Sequence, residues 1–215
     1  EANKGAYSYA WMIIFAVIAA IMVLIGLYHI RMLPSNQIPS TTKKTTSEVG
    51  RELVAVIANF FTKKHIFYYI CFIILYRLAE GFIMKIAPLF LRASREVGGL
   101  GLSLKEIGTL NGVFGSAAFV LGSLLAGIYV SKFGLKRTLF TLCCIFNLPF
   151  VAYTFLAVTQ PTNVYLIGTC ITMEYFGYGF GFVGLTLFMM QQIAPGKHQM
   201  SHYAFASGIM NLGVM

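Results

Sequence analysis

Apolar residues in this chain run in long blocks separated by short polar stretches. A helix needs about 20 apolar residues to cross the hydrocarbon of a bilayer. Five blocks meet that requirement: Ala6 to Leu33, ending before Pro34; His65 to Leu91; Ser103 to Val130; Leu139 to Val158; and Val164 to Ile193. A sixth begins near Ser201 but has only fifteen residues left before Met215. At 1.5 Å per residue it reaches about 22 Å, short of the hydrocarbon thickness. Ser103 and Glu106 have the Ser-x-x-Glu spacing of a capping box, which fixes the start of the third helix. The pattern predicts an all-α integral membrane protein with five complete spans and a truncated sixth.

The polar stretches carry the topological information. Between the first and second spans lie Lys43, Lys44, Arg51, Lys63 and Lys64; between the third and fourth, Lys132, Lys136 and Arg137; after the fifth, Lys197. The stretch Thr159 to Asn163 has no charge. Basic loops favour the cytoplasmic side, so the first, third and fifth connections are expected there. Residues 92–105 are the exception, since Arg92, Arg95 and Lys105 sit on the opposite side, partly offset by Glu96 and Glu106. The first connection, residues 34–64, opens with the polar run SNQIPSTTKKTTS, expected to be mobile. Within Arg51 to Phe61, Leu53, Val54, Val56, Ile57, Phe60 and Phe61 recur at helical spacing. Two readings fit this linker helix: it lies on the membrane surface, or it packs against the cytoplasmic ends of the bundle. Residues 65–215 form the remaining bundle.

Composition agrees. The chain is 58% hydrophobic and only 11% charged, against about 25% charged in soluble domains, and its mean hydropathy is +0.76. Its net charge of +9 comes from residues at segment ends, where lipid headgroups and topology account for it better than nucleic acid. The four cysteines, Cys71, Cys143, Cys144 and Cys170, lack metal spacing and read as small buried hydrophobes. His198 and His202 have helical metal spacing without a His-Glu-x-x-His motif, and read as polar interface residues. No phosphate-cradling Gly-Lys-Ser/Thr loop occurs, and no cofactor is implied. No basic region precedes the first apolar block, which argues against a cleavable signal peptide. The chain is expected to be part of a larger protein.

Charged groups inside the apolar blocks are the candidate chemistry. A stranded charge at mid-membrane costs roughly 2.5–3.5 kcal/mol on insertion scales. Arg77 and Glu80 are three apart and share a helix face. Glu80 is a candidate for proton titration or substrate contact, and Arg77 for holding a substrate carboxylate. An intrahelical ion pair that merely tolerates burial is the structural alternative. Tyr76 is a hydrogen-bonding neighbour. Lys85 is placed either snorkelling to headgroups or at a cavity mouth, and Pro88 is expected to bend the end of the span. Glu174 has no basic residue within four positions, so its partner must be another helix, water or a proton. Gly177, Gly179, Gly181 and Gly184 follow it, giving a thin helix suited to bending or to very close packing. Asn111, flanked by Gly108, Gly112 and Gly115, fits an interhelical hydrogen bond or a cavity contact. Asn147, before Leu148-Pro149, is placed to satisfy a carbonyl freed by the proline.

Gly127-Ile-Tyr-Val-Ser-Lys-Phe-Gly-Leu-Lys-Arg137 resembles the loop signature G-x-x-x-D-R/K-x-G-R-K/R-R of the major facilitator superfamily. Gly127, Lys132, Gly134, Lys136 and Arg137 match, while Ser131 replaces the acid and Leu135 the first basic residue. The resemblance implies a gating loop between the second and third helices of a six-helix half; the missing acid removes part of its charge relay. Three further stretches resemble the AmpG-like muropeptide permeases and the related acetyl-coenzyme A transporter group: Tyr76-Arg77-Leu78-Ala79-Glu80, Gly101 to Gly108 with Asn111 to Gly115, and Glu174 to Met190. Ser201-His-Tyr-Ala204 is similar to the start of that family's next helix. The resemblance implies a partial major facilitator-type bundle, with residues 1–33 as helix six of twelve, 34–64 as the central cytoplasmic linker, and the N-terminal half missing.

The function so implied is a proton-coupled permease importing cell-wall-derived muropeptides across a bacterial inner membrane, with the bilayer, protons and a small solute as partners. Carriers for sugars, peptides or acetyl-coenzyme A are the alternative. A non-transporting membrane scaffold is disfavoured by the retained mid-membrane acids, and a membrane enzyme by the lack of any concentrated catalytic cluster.

Overall fold

A computed structural model describes residues 7–32 and 45–215. Ala6, Leu33, Pro34, Lys43 and Lys44 lie outside the described residues, as does most of the polar run of the linker. The chain divides into two compact units, Glu1–Thr46 and Ser47–Met215. The described part of the first is one helix, α1 (Tyr7–Met32). Its side chains are apolar all round and exposed, as for a helix whose surroundings are lipid or other helices.

The second unit is all helix. It comprises α2 (Thr46–Phe61), α3 (Ile66–Arg92), α4 (Leu104–Thr109), α5 (Ser116–Phe133), α6 (Leu135–Asn147), α7 (Val151–Thr159), α8 (Val164–Phe188) and α9 (Gln199–Leu212). A π-helical turn, Leu110–Gly115, joins α4 to α5 into one continuous rod. A 3₁₀ turn at Leu148–Phe150, carrying Pro149, joins α6 to α7, and α8 continues as a π-turn through Met189–Ile193. The predicted capping box forms: Ser103 Oγ accepts from Glu106 N, while Ser103 N donates to Glu106 Oε2 at 2.8 Å. Gly134 ends α5 with φ at 78°, a backbone value that glycine adopts without strain.

Among the described residues, four helices are long and apolar enough to cross a membrane: Ser8–Met32, Ile66–Arg92, Leu104–Phe133 and Leu135–Thr159. The fourth thus starts four residues before the predicted Leu139, because Leu135 and Thr138 turn inward and begin the helix at Gly134. The fifth predicted span, 164–193, is helical from end to end. Glu174 and the glycines Gly168, Gly177, Gly179, Gly181 and Gly184 on it are buried, so it occupies the centre of the bundle.

The glycines of α8 explain that central position. A Cβ at Gly179 would enter the Phe119 carbonyl of α5, and one at Gly122 would enter the Phe176 carbonyl of α8. On the other side, a Cβ at Gly177 would stand 2.5 Å from the Ile145 carbonyl, and one at Gly181 would strike Phe146 of α6. Alternation therefore serves two neighbours at once, and close packing rather than bending is its use here. An aromatic seam of Tyr69, Phe72, Tyr76, Phe146 and Phe188 joins α3 to this core.

The linker helix α2 packs on the bundle. Phe60 is fully buried and meets His202 and Phe205 edge-on, with ring centroids 5.7 and 4.8 Å apart. Lys63 donates to the carbonyls of Ile193 and Pro195 (2.8 Å to the latter), closing the end of the α8 π-turn. Burial there lowers the Lys63 ammonium below the ordinary lysine pKa. At the opposite end of the bundle, Arg95 donates to the Gln160 and Pro161 carbonyls at 2.9 and 2.8 Å.

Candidate functional site

The α3 helix presents Arg77 and Glu80 on the face that meets α8 and α9. Arg77 donates to Glu80 twice, Nε to Oε2 and Nη2 to Oε1, both at 2.6 Å. This fork matches the planar guanidinium to the planar carboxylate and is the strong form of the interaction. Both side chains are buried, at 6% and 2% exposure. Nη1 of Arg77 reaches Asn211 Oδ1 of α9 at 3.3 Å, and the guanidinium carbon lies 5.6 Å from the Phe182 ring centre. Tyr178 lines a pocket beside Glu80. Arg77 is therefore paired with Glu80 and also meets Asn211 and Phe182 within the bundle.

Glu174, on α8, is 8% exposed. It lines the same pocket as Glu80 of α3 and Tyr153 of α7. Glu80, Glu174, Asn111, Tyr153, Tyr175 and Tyr178 together line an open pocket of about 170 Å³, along with apolar residues of α3 that include Ala87 and Pro88. Asn111 enters from the π-turn Leu110–Gly115, a distortion often found where a helix aims a functional group. Its Oδ1 is fully buried and has no hydrogen-bond partner among the described residues. The interhelical bond expected of Asn111 is thus absent at that oxygen, and the cavity contact is present.

Other sequence candidates lie elsewhere. Tyr76 does not bond the ion pair; it donates across helices to the Gly181 carbonyl at 2.8 Å. Asn147 donates to the Cys143 carbonyl at 2.9 Å, one turn back on its own helix, and is a packing residue rather than a cavity residue. Pro149 removes the bond to the Ile145 carbonyl, so Asn147 does not satisfy the group the proline frees. Lys85 is exposed and bonds the Met215 carbonyl. In the basic loop, Gly127 is open on its Cβ side, Lys132 lies 5.4 Å from the Phe133 ring centre, and Lys136 with Arg137 occupies the first turn of α6. This loop is far along the chain from the cavity residues and contributes none of its lining. Tyr153 and Tyr178 were not singled out by sequence, because a tyrosine in an apolar helix has no distinguishing spacing. Among the described residues no three His, Cys, Asp or Glu side chains converge as a metal site.

Apolar helices of membrane-crossing length around a buried, internally paired charge define a multi-pass membrane protein with a polar interior. The chain belongs to the Major Facilitator Superfamily, whose family model matches residues 5–215. Members of this family are membrane transporters and not catalytic enzymes. The chain is 24% identical over 175 residues to the anhydromuropeptide permease of Escherichia coli strain K12, covering 81% of this chain and 34% of that protein. The same values hold for the anhydromuropeptide permease of Escherichia coli O157:H7. The chain thus spans about a third of the length of these curated relatives. No solved structure is significantly similar to it.

Proposed function

We propose that this chain is the central linker and most of the C-terminal half of a proton-coupled carrier that imports cell-wall-derived muropeptides across a bacterial inner membrane. In this reading five complete spans and a truncated sixth face a missing N-terminal half, with the basic connections on the cytoplasmic side. The observation that carries it is a division of labour between two buried acids. Arg77 cancels the charge of Glu80, leaving Glu174 as the buried carboxyl without a basic partner within hydrogen-bonding distance among the described residues. A carboxyl so placed changes charge when it takes or loses a proton, and that change alters the cost of every rearrangement around it. Loading from outside, rocking of the halves about the cavity and release inward complete the cycle. The likeness to anhydromuropeptide permeases supports the solute class.

The test is uptake of a labelled anhydromuropeptide by proteoliposomes holding the full-length carrier, with and without an inward proton gradient. Gradient-stimulated uptake, lost at least tenfold in Glu174→Gln, is expected. Equal stimulation in the variant would remove Glu174 from the coupling. No uptake by an inserted, folded wild-type carrier would assign it another solute.

A further inference from the structure

Where the linker helix α2 meets the start of α9, a histidine is buried far along the chain from the Glu174 pocket. His202 is 1% exposed. Its ring meets Phe60 of α2 edge-on at 5.7 Å and stands 6.0 Å from the ring of His198. Its Nε2 lies 3.3 Å from the Val56 carbonyl of α2. A carbonyl only accepts, so Nε2 carries the hydrogen and Nδ1 of the neutral ring is the bare nitrogen. Nδ1 is buried and has no hydrogen-bond partner among the described residues.

This arrangement fits one protonation state. A second proton would go to Nδ1, creating a buried N–H with no acceptor and a positive charge out of water. The charged and titratable groups that act on His202 are Lys63, two residues past the end of α2, and His198, just ahead of α9. Both can only add positive charge. The acids of α2, Glu48 and Glu52, are exposed. Lifting α2 away would open the ring to water, where a histidine takes a proton at about pH 6.5. The same movement withdraws Lys63 from the carbonyls of Ile193 and Pro195, so the linker's hold on α9 and its cap on the end of α8 break together.

We infer that α2 is an acid-released latch: neutral His202 holds the linker helix on α9 and, through Lys63, on the end of α8, and protonation of His202 lets it go. The inference goes beyond the carrier cycle and uses neither Glu174 nor the solute. Its sign follows from the docked form excluding the proton. Docking is fully favoured above about pH 6.5 and weakens below it, by no more than about tenfold per pH unit for one proton. Acidification on the linker side of the membrane thus loosens the ends of α8 and α9 on that side.

The experiment is hydrogen exchange of the purified full-length carrier at pH 7.5 and 5.0, corrected for the intrinsic pH dependence of exchange, with peptides from α2 and from the centre of α8 followed by mass spectrometry. Protection of α2 should fall at least fivefold and at most about thirtyfold, while α8 keeps its protection. His202→Gln keeps a donor for the Val56 carbonyl and takes no proton, so its α2 should be equally protected at both pH values. His202→Phe should be pH-independent too and guards against a folding defect in the first variant. His198→Gln should retain the wild-type fall. Equal α2 protection at both pH values in the wild type overturns the latch. So does a fall that persists in both His202 variants, or one that disappears in His198→Gln. Parallel loss of protection in α8 would mean general acid unfolding and overturns it as well.

Discussion

Replacing Arg77 by leucine tests whether the pair on α3 is an internal counter-ion arrangement. The substitution keeps an apolar stem but leaves Glu80, 2% exposed, in the same pocket as Glu174 with no guanidinium. Breaking a buried pair by removing one partner costs about 3–5 kcal/mol, because the remaining charge stays desolvated. The 3.3 Å contact to Asn211 is long and adds little. At about 2–4 °C per kcal/mol for a unit of 150–250 residues, the midpoint of thermal unfolding should fall by roughly 6–20 °C. Removing both charges, Arg77→Leu with Glu80→Leu, should recover most of that loss, since apolar replacement of a whole buried pair is often neutral. The assay is thermal unfolding in detergent, followed by tryptophan-independent probes such as thiol labelling of the cysteines. A single variant within about 1 kcal/mol of the wild type, or a double variant no better than the single, refutes the reasoning.

Two further substitutions probe the packing. Gly179→Ala should reduce folded yield severely, because its Cβ meets the Phe119 backbone carbonyl rather than a side chain able to move; Gly127→Ala, which faces open space, should behave as wild type. Phe60→Ala should cost about 3–5 kcal/mol where α2 meets the bundle and expose the linker to limited proteolysis, whereas equal protease resistance would mean that α2 is held by something else.

The elements were largely legible because apolar block length and breaker residues report directly on helices. The capping box at Ser103 and the turn at Gly134 emerged where those residues stand. What the chain order concealed was partnership across helices. Arg95 reads as a charge on the wrong side of the membrane, yet it clamps two backbone carbonyls 65 and 66 residues away. The π-turn that aims Asn111 has no strong local signature, since an extra residue in a helical turn leaves the apolar pattern almost unchanged. Arg77 and Glu80 were legible as a pair from their spacing; that Arg77 also meets Asn211 and Phe182 depends on α9 and α8.

The neutral pair on α3 also bears on voltage. A membrane potential acts on net charge, at about 2.3 kcal/mol per charge per 100 mV across the full field. Arg77 and Glu80 move together as a dipole of no net charge, so a potential does little net work on them when α3 shifts. On the proposed cycle, Glu174 alone among these three groups changes sign of response: silent when its charge is matched by a bound proton, and driven by the field when it returns empty. The step that a potential accelerates or retards is then the return of the unloaded carrier, and the ion pair is what confines voltage sensitivity to that step.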